Sequence, residues 1–170
     1  MIADVMFDEG LSTFGLSIPQ WNEALESIVI RLFPELIDEH IRVRFTESYY
    51  RLIIGSLGYE GHFDTETQSI FINHWWIDKE KMPILKYVAK ILIHEMKHLV
   101  QSIQGRLTYE NALSHIEKNP LQSWHERPWE AEAVAFEIQH TVEAYEIIMI
   151  IVEKQKLLQE ISDTDRACVL

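Results

Sequence analysis

Residues 94–98, His-Glu-Met-Lys-His, carry the side chains of this chain that are best suited to chemistry. Because His94 and His98 are four residues apart, a helix places both imidazoles on one face, where they can bind the same ion. Neutral imidazole is a good ligand for Zn²⁺. Glu95 lies one step round the helix, where its carboxylate can reach a water on the metal without binding the metal. The spacing predicts a zinc site with Glu95 as its catalytic base.

The chemistry implied by these three side chains is hydrolysis of an amide bond in a peptide or protein. Zinc lowers the pKa of its bound water to about 7, and Glu95 can take the proton and return it to the leaving amine. A pair of core histidines without a metal is the alternative. The helix around the motif is apolar, from residues 91–93 to Leu99 and Val100. Three ionisable groups in that setting need a partner that offsets their desolvation, which favours the metal.

A catalytic zinc usually has a third protein ligand, which we expect downstream of the motif. The apolar face predicted for the last helix includes Val134, Ile138, Thr141, Tyr145, Ile148 and Val152. Glu130 continues that face one turn earlier, so we predict Glu130 as the third ligand. Glu132 and His115 are the alternatives. Glu137, two turns after Glu130, is predicted either to orient a ligand histidine or to lie on the surface.

The pattern of apolar residues predicts the elements that position these side chains. A first helix begins after Ser17 and ends before Pro34. Alternation at Ile41, Val43 and Phe45 predicts a strand, residues 50–54 a second and residues 69–73 a third, and we expect them to pair as a small antiparallel sheet. Glycines, including Gly61, mark the loop between the second and third strands.

The second half of the chain is predicted to be helical at both ends. Pro83 begins the helix that carries the motif, and Gly105 stops it. A polar loop follows over residues 105–127, and Pro128 opens a last helix that runs to about Glu160. The fold class is therefore α+β, in one domain that spans residues 1–170.

Composition limits the classes of partner. The net charge is −12, which disfavours nucleic-acid binding through a basic surface. The single cysteine, Cys168, forms no internal disulfide, and no basic and apolar signal peptide opens the chain, so we expect an intracellular, cytoplasmic protein. The longest apolar run, residues 147–152, is too short to cross a membrane. This run is either covered by the first helix or buried in a homodimer contact.

Residues 130–133, Glu-Ala-Glu-Ala, add a family resemblance to the metal motif. Glu130 with Ala133 resembles the ExxA pattern of gluzincins, zinc metallopeptidases in which this glutamate is the third ligand. Residues 58–73, the motif helix and residues 127–133 are together similar to small phage- and virus-encoded peptidases and, more distantly, to the ImmA/IrrE family. Many gluzincins have Asp or Asn after this alanine, where this chain has Val134.

The resemblance covers about half of the chain and implies a minimal zincin fold. In such a fold a small sheet packs on the motif helix, and a long C-terminal helix supplies a ligand. A strand near Phe71 is then expected at the rim of the cleft, where an extended substrate could pair with it.

Two functions remain open on the residues alone. One is an active zinc metallopeptidase, and the other is a non-catalytic, metal-stabilised binding or regulatory module, which Val134 and the lack of an identified oxyanion donor favour. A protease that acts on DNA-bound proteins, as SprT-like enzymes do, is disfavoured by the acidic charge. The side chains that could donate to an oxyanion are Tyr109, His115, His125, Arg127 and Tyr145.

Overall fold

A computed structural model describes residues 2–46, 60–74 and 83–167. These residues form a four-stranded sheet and four α-helices, which confirms the predicted α+β class. Single turns of 3-10 helix lie at Pro34–Leu36 and Trp124–Glu126. In chain order the main elements are β1 (Ile2–Phe7), α1 (Ile18–Leu32), β2 (His40–Thr46), β3 (Gly61–Asp64), β4 (Ser69–Asn73), α2 (Ile84–Ile103), α3 (Tyr109–Lys118) and α4 (Pro128–Ala167).

The sheet is mixed, so the expectation of an antiparallel sheet was wrong. Its strand order is β1-β2-β4-β3, with β1 and β4 both parallel to β2 and only β3 antiparallel to β4. Parallel neighbours need a crossover connection, and α1 provides it between β1 and β2. The alternation in β2 correctly indicates that Ile41, Val43 and Phe45 are buried, but alternation carries no information about strand direction. The strand predicted at residues 50–54 lies outside the described residues.

The edge of the described sheet next to α2 is β3, which was not anticipated. Gly61 begins this strand and does not mark a loop. Phe71 was expected at the rim of the cleft, but its strand, β4, lies between β2 and β3. The strand that an extended chain could join is therefore β3.

Helix α1 has the bounds predicted from Ser17 and Pro34, and it packs on β1 and β2. The Ser17 backbone N–H donates to Oε1 of Gln20 at 2.6 Å, which satisfies one donor at the start of the helix. Trp21 lies with its ring centroid 5.4 Å from that of Phe45, and Phe7 stacks on Phe45 at 4.2 Å. This aromatic cluster closes one end of the core.

Helix α2 lies between the sheet and α4, so it is buried on two sides. It begins after Pro83 and ends before Gly105, whose φ of 70° suits glycine, as the sequence predicted. The segment expected to be a polar loop contains α3, in which Oγ1 of Thr108 accepts from the Asn111 N–H at 3.2 Å. Although α3 buries none of its residues fully, its apolar residues recur at helical spacing, a signal that the sequence analysis missed: Tyr109, Ala112, Leu113 and Ile116.

Helix α4 spans 40 residues and extends past the expected end near Glu160 to Ala167. Its buried face was predicted only in part. Ile148 is fully buried, but Ile138 is 75% exposed, and small residues such as Ala133 and Ala144 are buried in its place. Small side chains allow neighbouring helices to approach closely, which an apolar periodicity does not reveal.

The apolar run at residues 147–152 lies near α1, which packs against α4. Arg31 of α1 binds Glu143 at 2.7 Å, and Glu23 binds Lys154 at 2.8 Å. Ile150 is 64% exposed, so α1 covers only part of the run. Within the described residues, no helix combines the length and apolar character that a membrane span requires.

The orientation of α4 can be tested by replacing isoleucine with alanine at one buried and one exposed position of the helix. Ile148→Ala should lower the free energy of unfolding by about 2–5 kcal/mol, because it leaves a cavity in the core. Ile150→Ala, one half-turn away at an exposed position, should change it by less than about 0.5 kcal/mol. Chemical denaturation of both variants measures the difference. Equal effects would mean that α4 is rotated from the orientation described.

Candidate metal centre

His94 and His98 from α2 meet Glu130 from α4 at one buried point. The Nε2 atoms of both histidines lie 3.4 Å from Oε2 of Glu130. Each of the three residues is at most 7% exposed. Their ligand atoms all lie within 4.8 Å of one another, so this group could hold a metal ion.

The other ring nitrogen of His94 has a carboxylate partner. Its Nδ1 lies 3.0 Å from Oε2 of Glu137, one of the two roles predicted for that residue. Because an ionised carboxylate can only accept, Nδ1 carries the proton and Nε2 of the neutral ring presents a lone pair. The amine of Lys90 lies 3.8 Å from the other oxygen of Glu137 and 3.5 Å from Glu60. The polar partner of His94 thus comes from Glu137 and not from position 134.

The other ring nitrogen of His98 is held by Gln101, a residue the sequence analysis overlooked. Nδ1 of His98 lies 2.9 Å from Oε1 of Gln101, which is fully buried. The Gln101 amide donates to the Trp129 carbonyl at 3.0 Å and to Glu132 at 3.1 Å. Since that nitrogen is occupied as a donor, Oε1 must accept from Nδ1, and Nε2 of His98 again presents a lone pair. The spacing of three residues on one helix was a signal for this contact.

Glu132 supports this arrangement from the side and is not drawn into the metal group. Arg106 donates to both of its oxygens, at 2.6 and 3.1 Å, and Lys97 lies 3.0 Å away. The bonds from Arg106, followed by those from Lys97 and Gln101, lower the pKa of Glu132 to about 2. Glu132 is therefore an ionised anchor for Gln101.

Three lone pairs, two on nitrogen and one on oxygen, therefore point at the same small volume. Oε2 of Glu130 is buried and has no hydrogen-bond partner among the described residues. A buried carboxylate oxygen without a partner is costly, and one cation at this point satisfies all three atoms. The residues present fit a metal ion.

Without a metal, protons supply the missing positive charge. Burial lowers the pKa of His94, but Glu130 and Glu137 outweigh it and raise this pKa to about 10. Burial likewise opposes a charge on His98, and Glu130 and Glu95 raise its pKa. Burial raises the pKa of Glu130, but the two histidines prevail and lower it to about 2. The site therefore favours positive charge, which either protons or a metal ion could supply.

Glu95 lies beside the three ligand candidates but outside their group. It is 6% exposed, and the backbone N–H of Phe63 in β3 donates to its carboxylate. Burial raises the pKa of Glu95, against the charges of the two histidines and this N–H. A Cβ at Gly61 would stand 2.5 Å from Cγ2 of Ile91 and 2.8 Å from Oε1 of Glu95. Only glycine allows β3 to approach α2 this closely.

Two cavities open onto this group, and Gly61, Glu95 and Trp124 line both. One is about 500 Å³ and includes His94, Lys90, His125 and Glu137 in its wall. The other is about 270 Å³ and includes His98, Glu130 and Arg127. The Trp124 ring stacks on His94 with centroids 6.3 Å apart. The metal group is thus buried yet reachable from two spaces.

The other candidates named from the sequence, for a third ligand or an oxyanion donor, lie outside the metal group. His115, the alternative third ligand, bonds to Gln122 at 2.6 Å and is not part of the metal group. Of the five candidate oxyanion donors, His125 lines the larger cavity and Arg127 the smaller one. Tyr109 is 61% exposed, and Tyr145 packs against the core.

His62 of β3 also lines the smaller cavity and was not singled out from the sequence. Burial lowers its pKa, and the nearby charge of His98 adds to that effect while Asp64 opposes it. The position of His62 depends on the pairing of β3 with β4, which the pattern of apolar residues in the sequence did not reveal.

No protein-family model, no curated protein and no solved structure matches this chain. The chemistry of the site is therefore argued from its own residues.

The contact between Gln101 and His98 predicts an effect on metal affinity. Gln101→Met keeps the length of the side chain but removes the acceptor for Nδ1, so zinc affinity should fall roughly 10- to 100-fold. Competition with a chromophoric chelator measures the affinity. The control is Gln139→Met, the same change at an exposed position of α4, which should leave affinity unchanged. Equal affinities in both variants would contradict the role given to Gln101.

Metal binding should release protons. With a pKa of about 10, His94 is protonated at pH 7.5 in the metal-free protein and must lose that proton to bind Zn²⁺. We expect at least one proton released per zinc, and an affinity that rises as the pH rises towards 10. Calorimetric titration in buffers of different ionisation enthalpy counts the protons. Binding without net proton release would contradict this electrostatic account.

Proposed function

We propose that this chain is a zinc-dependent peptidase in which His94, His98 and Glu130 hold the metal and Glu95 is the general base. The observation that carries the proposal is the convergence of three buried lone pairs with the Glu95 carboxylate beside them. The role of metal ligand predicted for His94, His98 and Glu130 is compatible with this geometry, and so is the role of base predicted for Glu95.

Zinc is favoured by the donor set and by its spacing. Two imidazoles and one carboxylate form the kind of three-ligand set that catalytic zinc sites use, with a fourth position open to water. Ligands about 2.05 Å from a tetrahedral ion stand roughly 3.3 Å apart. The two distances of 3.4 Å from Glu130 to the histidines are close to that value.

When bound, zinc lowers the pKa of a coordinated water to about 7 and polarises the carbonyl under attack. Glu95 accepts the proton that the water loses and delivers it to the leaving amine. Burial raises the pKa of Glu95, a shift in the direction that lets one carboxyl group both accept and return a proton near neutral pH. The Phe63 N–H and the close wall at Gly61 hold the carboxylate in one orientation.

The substrate we propose is an extended peptide. Edge strand β3 borders both the Glu95 carboxylate and the smaller cavity, so a peptide that paired with β3 would pass the metal group. The two cavities could then receive side chains from either part of that peptide.

The wider setting stays a prediction from composition. An intracellular, cytoplasmic location rests on the single cysteine, Cys168, which lies outside the described residues. The absence of a nucleic-acid partner rests on the net charge of −12. A homodimer through α4 rests on exposed apolar residues such as Ile150.

Glu95→Gln should retain one zinc per chain and lose hydrolysis by a factor of at least about 100, since it removes the base but no ligand. His94→Ala should lose both the bound zinc and the hydrolysis. Elemental analysis of the purified proteins and cleavage of an unfolded, fluorescently labelled protein measure the two properties. The control, Glu110→Gln, changes an exposed glutamate of α3 in the same way and should leave both unchanged.

Cleavage retained by Glu95→Gln at the wild-type rate would contradict the peptidase mechanism. Zinc bound by wild type without hydrolysis of any substrate would favour the alternative, a metal-stabilised binding or regulatory module.

A further inference from the structure

Arg127 directly precedes α4, three residues before Glu130, and lines the smaller cavity. Its backbone is fixed there, because its N–H donates to the Trp124 carbonyl at 3.2 Å and its own carbonyl accepts from Ala131 at 2.9 Å. The residue is half-buried. Arg127 therefore borders the same space as His98, Glu95 and Glu130.

The Arg127 guanidinium has no acidic partner or hydrogen-bond acceptor within residues 2–46, 60–74 and 83–167. By contrast, Arg31, Arg44 and Arg106 each bind a carboxylate of the chain. The chain holds 27 acidic residues against 15 lysines and arginines, so acidic partners are plentiful. An arginine that instead faces a cavity beside a metal group is available to a ligand. A guanidinium matches a carboxylate with two parallel hydrogen bonds.

The size and lining of the cavity limit what can enter. At about 270 Å³ it lies below the usual range of about 300–1,000 Å³ for small-molecule sites, so it has room for one amino-acid residue. Apolar surface in its wall comes from Phe63, Leu107, Trp124 and Trp129, and the polar residues of the wall include Glu95, Glu130, His62 and His98. With a divalent metal ion balancing the charges of Glu95 and Glu130, Arg127 is the positive side chain of this wall that a ligand can neutralise. The best occupant has an apolar body and a negatively charged end.

We propose that Arg127 binds a carboxylate of the substrate residue that occupies the smaller cavity. That carboxylate is either the C-terminus of the peptide or the side chain of Asp or Glu. This selectivity rests on the proposed function, which places the smaller cavity beside the bond that is cleaved. Arg127 acts here as a specificity-determining residue.

Binding without turnover tests the proposal. The zinc-loaded Glu95→Gln protein is titrated with two pairs of capped peptides, one pair ending in a carboxylate or a carboxamide, the other carrying Glu or Gln internally with an amide end. Tryptophan fluorescence reports binding, because Trp124 and Trp129 line the cavity. In one pair the carboxylate should bind roughly ten- to a hundredfold more tightly, and the pair that shows it identifies the source.

Two further variants separate Arg127 from the metal, which itself attracts carboxylates. In the Glu95→Gln background, Arg127→Gln should reduce the preference to about one while zinc stoichiometry stays at one per chain. Arg42→Gln removes the same charge from an exposed position of β2 and should keep the preference.

The proposal is overturned if neither pair shows a preference, or if the preference survives Arg127→Gln. A chain that binds no zinc or cleaves no peptide would refute the proposed function instead. The comparison of peptides is then made without zinc and still decides the role of Arg127.

Discussion

The contact between α2 and α4 forces two imidazole nitrogens and one carboxylate oxygen into the same buried volume. Each of these atoms has a lone pair turned inward, because Glu137 and Gln101 hold the opposite side of each ring. Such an arrangement is stable only around positive charge. The high pKa of His94 and the low pKa of Glu130 express the same demand in the metal-free protein. The packing of this helix pair thus favours a cation at this point, independently of any catalytic role.

The two histidines are supported in different ways, and the difference separates their roles. Glu137 reaches His94 from the opposite helix and carries a charge that Lys90 partly balances. Gln101 reaches His98 from the same helix, is neutral, and is itself tied to Glu132. His94 therefore contacts α4 directly, whereas His98 depends on α4 through Gln101, whose amide is held by Trp129 and Glu132 of that helix. Loosening α4 should disturb Glu130 and both histidines together.

Local spacing predicted the parts of the site that lie on one helix, because helix geometry relates residues four apart without reference to the rest of the fold. It also selected Glu130, although the face used for that choice was partly wrong, with Ile138 exposed at 75%. The strand β1, the parallel pairing and the place of β3 at the edge could not be predicted, since alternation encodes burial and not partners. The roles of Gly61 and His62 depend on that pairing, so they were missed for the same reason.

The central claim is that one zinc ion lies between His94, His98 and Glu130. Diffraction data from zinc-loaded crystals, collected on both sides of the zinc absorption edge, locate the ion directly. The account predicts one anomalous peak per chain, about 2.0–2.2 Å from Nε2 of each histidine and from a carboxylate oxygen of Glu130. A peak elsewhere, or bonds to only one of these three residues, would contradict it.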